Sequence, residues 1–267
     1  MLKRTISGTV FVSILTFSIL FHPSFFLGFF YLCMIVSIYE FSKMLKIANP
    51  WIYLIATFLF IINTEVFLNF DPFIFKSVIL LSILFLFGKQ LLHLRSNAIT
   101  ELGNSLLIIT YTCVPYLFIT KIPYTNASES FEAMSILGVF ILIWSNDTFA
   151  YLFGKNIGKH KLLERVSPNK TIEGFVGGLI STLVMAYLIS LKFDVFSNSQ
   201  WMIIGGIISI FGVIGDLIAS MFKRQTGVKD TGAIIPGHGG IIDRMDSIIF
   251  AAPFIYLFLK FTLKNVS

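Results

Sequence analysis

Residues 215–246 read GDLIASMFKRQTGVKDTGAIIPGHGGIIDRMD, which packs four aspartates, four basic residues, a histidine and six glycines into a chain that is otherwise mostly apolar. Apolar runs lie on either side, at about 201–220 and 248–263. A polar segment between two runs of that length reads as the end of one membrane helix, a loop and the start of the next. Charged side chains at the edge of a bilayer are costly, so the cluster marks a functional site by default.

The same pattern extends through the rest of the 267 residues. The composition is 56% hydrophobic and only 13% charged, about half the charged share of an ordinary soluble domain. Nine candidate spans are expected, at about 5–21, 25–39, 51–67, 73–87, 102–118, 136–153, 175–191, 201–220 and 248–263. The fold class implied is an all-α polytopic membrane protein, since helices satisfy their own backbone in lipid. Asn63 and Glu65 blur the end of the third span, and Pro23 permits the first two to form a helical hairpin. The start, Leu2-Lys3-Arg4 before an apolar run, has the look of a signal peptide, but His22-Pro23-Ser24 offers no small-residue cleavage site. A retained first span is therefore expected.

The net charge of +6 could suggest nucleic acid, but topology explains it without any nucleic-acid partner. With nine spans and a cytoplasmic N-terminus, fifteen of the 20 Lys and Arg fall on the cytoplasmic side, as the positive-inside rule requires. Residues 1–135, rich in Phe, Leu and Ile, read as a transmembrane scaffold; within it Glu40 and Lys43 are expected to form an interfacial salt bridge, and His22 and His93 to sit at span ends. Residues 136–267 read as the catalytic region, because Asp147, Asp216, Asp243 and Asp246 and the basic loops 154–174 and 221–247 all emerge on one face. Cys33 and Cys113 lie inside apolar runs and are expected simply to pack.

Asp216 and Asp243 are the best candidate metal ligands, since Mg²⁺ takes one or two carboxylates and leaves room for substrate phosphates. Asp243 and Asp246, three apart, share a face if helical. The glycines at 227, 232, 237, 239 and 240 allow tight turns and close backbone approach to a phosphate, and Lys223, Arg224 and Lys229 add cations. These are the parts of a phosphoryl-transfer site. Neither G-x-x-x-x-G-K-[ST] nor G-x-G-x-x-G occurs, which removes the usual soluble nucleotide folds. In the other loop Ser167-Pro168 reads as an N-cap and first helical position, opening a helix whose N–H groups could face an anion. Gly174 with Gly178, and Gly215 with Ala219, are small-xxx-small pairs suited to close helix packing.

Ser220-Met221-Phe222-Lys223-Arg224, Lys229-Asp230, Gly232, Pro236, His238-Gly239-Gly240, Asp243-Arg244 and Asp246 together resemble the signature of the phosphatidate cytidylyltransferases, the CDP-diacylglycerol synthases. NDTFAYLFGK (146–155) and SPNKTIEG (167–174) are similar to two further blocks of that family, so the likeness is strong over roughly 138–250. One departure is Asn169, where many members carry a second lysine. The resemblance implies transfer of a cytidylyl group from CTP to phosphatidate, releasing pyrophosphate. It further implies a Mg²⁺ requirement with K⁺ as a candidate second cation, and a homodimer of nine-span protomers in the cell membrane with its site at the cytoplasmic face. Carried over residue by residue, Asp216 and Asp243 would hold metal. Asp147, Lys170, Lys223, Arg224, Lys229, Asp230, His238 and Asp246 would line the catalytic site, and Lys223, Arg224, Gly239, Gly240 and Arg244 would contact the nucleotide. The alternatives are a related lipid nucleotidyltransferase or kinase with another lipid acceptor, and an ion-coupled transporter. The transporter reading should show charge pairs near the midplane or interrupted helices in both halves, whereas the acids gather at one end and the first half has no counterpart.

Overall fold

The computed structural model describes residues 2–64, 72–92, 97–125 and 130–264, and it is almost wholly helical. The helices are α1 (Leu2–Phe21), α2 (Pro23–Met44), α3 (Pro50–Thr64), α4 (Pro72–Leu92), α5 (Ala98–Ile108), α6 (Val114–Lys121), α7 (Ala133–Ile157), α8 (Ile172–Ser190), α9 (Asn198–Ile207), α10 (Val213–Gln225) and α11 (Ile242–Lys264). Single π-helical turns, Ile109–Cys113 and Ile208–Gly212, join α5 to α6 and α9 to α10 into two long rods. Pro115 at the start of α6 has no N–H to give to the ladder, and a π turn just before it absorbs that gap.

Six stretches among the described residues are long and apolar enough to cross a bilayer: Pro23–Met44, Ala98–Tyr124, Ala133–Ile157, Ile172–Ser190, Asn198–Gln225 and Ile242–Thr262. The expected first, third and fourth spans correspond to shorter apolar helical segments, Thr5–Phe21, Pro50–Thr64 and Ser77–Gly88. Glu65, His93 and Arg95 lie outside the described residues. Many large apolar side chains face outward, among them Leu32, Leu54, Phe58, Leu80 and Leu257, as lipid rather than water would favour.

Small residues let the rods meet closely. A Cβ on Gly174 would lie 2.7 Å from the Ala150 carbonyl oxygen, and one on Gly178 3.0 Å from Ala150 Cβ, so α7 and α8 pack along a glycine seam. A Cβ on Gly215 would lie 2.5 Å from the Asp246 carbonyl oxygen, so α10 and α11 touch backbone to backbone at the depth of the aspartates. Both small-residue pairs are therefore packing devices, as expected. Cys33 and Cys113 are buried free thiols, and His22 caps α2, its Nδ1 accepting from Ser24 N at 3.2 Å.

Two local expectations fail. Ser167-Pro168 does not open a helix: residues Ser167–Thr171 form a strand, β2, paired antiparallel with β1 (Lys161–Leu163). The N-cap is Thr171, whose Oγ1 accepts from Gly174 N at 3.1 Å. The competing signal was Glu173 in the first turn of α8, since an acidic residue beside the helix N-terminus favours a start there. The second failure is Glu40. It is 1% exposed and turns into the protein, whereas Lys43 is exposed, so the two form no surface pair.

Candidate active site

Two carboxylates organise the polar segment, and they come from opposite halves of the chain. Glu40, near the end of α2, accepts from Ile241 N (2.9 Å) through Oε1, and from Ile242 N (3.1 Å) and Thr231 Oγ1 (3.1 Å) through Oε2. Asp243, in the first turn of α11, accepts through Oδ2 from Thr231 N (2.8 Å) and Gly240 N (3.0 Å), and shares the single Thr231 hydroxyl proton (3.0 Å) with Glu40. Its Oδ1 takes the Lys223 ammonium at 2.7 Å. Glu40 thus satisfies the N–H of Ile242, the first residue of α11, and that of Ile241 before it, while Asp243 holds the N–H of Gly240 just ahead; both anions lie at the positive end of the helix dipole.

This explains the glycines. Gly239 has φ +82°, and a Cβ there would lie 2.5 Å from Asp243 Oδ2. A Cβ on Gly232 would lie 2.5 Å from Glu40 Oε1, and one on Gly240 would overlap Glu40 Oε2 and the Thr231 hydroxyl. The backbone was expected to crowd a phosphate; the anions it crowds in the structure are the protein's own. Between them Pro236-Gly237-His238 makes a tight turn closed by His238 N to Ile235 O (2.9 Å) and Ile235 N to Gly239 O (3.0 Å). Its outer side rests on α1, where Ser7 Oγ donates to the Pro236 carbonyl at 2.9 Å and meets His238 Nδ1 at 2.8 Å.

A second ion pair lies beside the first. Lys170 on β2 pairs with Asp216 on α10, and Ser220 Oγ reaches Asp216 Oδ1 at 3.4 Å. Glu173 braces the loop that carries Lys170, accepting from Lys159 N (3.0 Å) and from His160 N (3.2 Å) and meeting His160 Nδ1 at 2.6 Å. Lys161 Nζ donates to the Pro168 carbonyl at 2.7 Å. Because side chains alternate along a strand, Asn169 faces outward while Lys170 turns inward to its partner. The departure at 169 therefore falls on the outer face of the hairpin.

Asp147 on α7 and Asp246 on α11 complete the acidic group. Asp147, Asp216 and Asp246 lie within electrostatic range of one another, with Lys170 and Arg244 acting on Asp147 and Lys223 on Asp246. Asp147, Asp243, Arg244, Asp246 and His238 line one cavity of about 200 Å³, which Gly8 and Phe11 of α1 also border. A larger apolar cavity, about 410 Å³ between α3, α4 and α6, is lined by no carboxylate among the described residues.

The structure thus gathers Asp147, Lys170, Asp216, Lys223, His238, Gly239, Gly240, Asp243, Arg244 and Asp246. Arg224, Lys229 and Asp230 are exposed beside this centre and are not drawn into its hydrogen bonds among the described residues. Sequence reasoning missed Glu40, Thr231, Ser7 and Gly8. Of these only Glu40 carries a signal, as a carboxylate late in an apolar run, and the nearby Lys43 makes it look like half of a surface pair.

For a divalent cation the donor set is hard oxygen, which suits Mg²⁺. No group of three or more His, Cys, Asp or Glu able to hold a metal occurs among the described residues. Mg²⁺ does not need one, because it draws one or two carboxylates from the protein and fills the rest of its sphere with water and substrate phosphates. The residues present fit a cation shared with a phosphorylated substrate.

The family model described as the cytidylyltransferase family matches residues 2–262. The chain is similar to the phosphatidate cytidylyltransferase of Staphylococcus aureus (strain COL), 42% identical over 186 residues that cover 69% of this chain and 68% of that one. It is likewise similar to the phosphatidate cytidylyltransferase of Staphylococcus saprophyticus subsp. saprophyticus, 41% identical over 186 residues with the same coverage. To that of Staphylococcus epidermidis it is 41% identical over 155 residues, 58% of this chain and 57% of that one.

Proposed function

The chain belongs to the cytidylyltransferase family, and from that premise we propose that it transfers the cytidylyl group of CTP to phosphatidate, forming CDP-diacylglycerol and pyrophosphate. The observation that carries the reading is the pair of lysine–aspartate contacts, Lys170–Asp216 and Lys223–Asp243, set side by side under a glycine-rich loop. The reaction joins two anions, so its first requirement is positive charge arranged in advance. A phosphate oxygen of phosphatidate forms a bond to the α-phosphorus of CTP as the bond from that phosphorus to the bridging oxygen of pyrophosphate breaks. The nucleophile is already an anion, so no general base has to be supplied.

Lys170 and Lys223 each hold a cationic head among the carboxylates and would share it with substrate phosphates. Arg244 opens into the same cavity as Asp147 and Asp246, while Arg224 and Lys229, which are exposed, would draw the nucleotide in. Asp216 and Asp243 would hold Mg²⁺, with K⁺ a candidate beside it; a bound divalent ion supplies charge neutralisation on the phosphoryl oxygens. Asp243 is oriented for this by the Thr231 and Gly240 donors, and Glu40 fixes the backbone that carries them.

The proposed setting is the cell membrane, with nine spans, the N-terminus and the site at the cytoplasmic face, and a homodimer as the assembled form. The segregation of basic residues supports the orientation. A lipid acceptor would then reach the site laterally within the bilayer while CTP enters from water.

Purified protein given CTP, phosphatidate and Mg²⁺ is expected to release pyrophosphate only when all three are present. Release without phosphatidate, or none with it, overturns the reading. Release with an isoprenoid phosphate in place of phosphatidate would reassign the acceptor.

A further inference from the structure

Tyr111 sits on the π turn of the α5–α6 rod, in the half of the chain that reads as scaffold. It is 8% exposed, and its hydroxyl is buried without a hydrogen-bond partner among the described residues. Such groups are uncommon in folded proteins and each calls for a reason, because a buried hydroxyl without a partner destabilises the fold. Its ring is held on two sides, by Phe41 of α2 with centroids 5.1 Å apart and 45° between planes, and by Phe222 of α10 at 5.1 Å and 77°. Phe222 immediately precedes Lys223, the partner of Asp243. Asp246, Asp216 and Asp243 all lie within electrostatic range of the phenol. The local deviation of the helix places this side chain there: a π turn carries an extra residue and shifts the facing of the residues after it, and such turns recur at functional sites.

Of these neighbours, Asp246 has spare accepting capacity. Among the described residues the hydrogen bond drawn to it is from Ser247 N to Oδ1 at 2.8 Å, and its carboxylate opens into the cavity shared with Asp147 and Arg244. Asp243, by contrast, already takes the Lys223 ammonium and two backbone N–H groups, and shares the Thr231 hydroxyl with Glu40.

We propose that Tyr111 is a positioning residue for the transfer reaction, its hydroxyl donating to the Asp246 carboxylate and setting that group's orientation when the substrates are bound. The inference rests on the cytidylyltransferase reading. On this account the unpartnered hydroxyl is kept at some cost to stability because the reaction uses it, a trade common at active sites.

The test is Tyr111→Phe, which keeps the ring between Phe41 and Phe222 and removes one oxygen. Two measurements are made on the purified protein: the melting temperature, and kcat and KM for CTP and phosphatidate from pyrophosphate release. The melting temperature should stay the same or rise. The kcat should fall by about 10–100-fold, the usual effect of losing a group that orients a functional ligand, with each KM changed by less than about threefold on the same basis. Asp246→Asn combined with Tyr111→Phe should be no slower than Asp246→Asn alone, since the two act as one unit. A kcat equal to that of the unaltered protein overturns the proposal, as does a loss of kcat that only tracks a lower melting temperature, or additive losses in the double variant. If the unaltered protein releases no pyrophosphate, it is the cytidylyltransferase reading that fails.

Discussion

Asp243 takes the Lys223 ammonium and two backbone N–H groups, Glu40 takes two backbone N–H groups, and the one Thr231 hydroxyl proton lies between them, so the carboxylates of the candidate site also hold backbone in place. Glu40→Gln replaces an acceptor oxygen with an N–H₂ group facing backbone N–H groups. Hydrogen bonds to a charged group are worth about 1.5–3 kcal/mol each, and removing one such acceptor from a buried position should lower the melting temperature clearly. Pyrophosphate release should fall with it, as the loop carrying Thr231 and Gly240 loses its anchor; unaltered stability in Glu40→Gln would refute the anchoring role. Asp216→Asn and Asp243→Asn should each reduce kcat at least 100-fold, about the scale of removing one preorganised electrostatic group. Undiminished turnover in either variant would defeat its assignment to the metal.

At the scale of elements, the glycines separate into those that crowd and those that do not. Gly240→Ala would push a methyl into Glu40 and Thr231, and overpacking of this kind costs about 1–3 kcal/mol. Gly206, on α9, has nothing within 4 Å of the position a methyl would take, and alanine there should stabilise the helix by about 0.8–1 kcal/mol. Thermal melting of the two variants in the same detergent should move in opposite directions; a shift of the same sign in both would undo the reading of the loop. The β1–β2 hairpin shows where local signals mislead. Ser167-Pro168 is a sound helix-start pattern by itself, yet Thr171 and Glu173 offer a better one four residues on, and β1 pairs with the strand that precedes it.

At the scale of the molecule, the division into a scaffold half and a catalytic half does not describe where the site's contacts come from. Glu40 of α2 reaches the start of α11, and Ser7 of α1 reaches the turn at His238. Residues 136–267 expressed alone should therefore show no pyrophosphate release in the standard assay, and co-expression with residues 1–135 should restore part of it. Full turnover by the C-terminal piece would show that the α2 contact is dispensable.

The membrane character and the acidic, glycine-rich segment could be read from residue order, because both are written in composition over short windows. An apolar run long enough to cross lipid, and a segment with four aspartates and six glycines, need no neighbour to be recognised. Asp216, Asp243, Asp246 and Lys223 were legible for that reason, whereas Lys170, in the other loop, was named only through the family resemblance. What only the tertiary structure decided was partnership. Glu40 looks like half of an i, i+3 pair because Lys43 is its nearest opposite charge along the chain. In space the first turn of α11 offers it unpaired N–H groups and the positive end of a helix dipole, and a buried anion goes where donors are already fixed. The glycines, likewise, announced a close approach, but their sequence could not say to what. Folding brings two carboxylates, separated by some 200 residues, against one loop, and their bulk is what leaves no room there for a side chain.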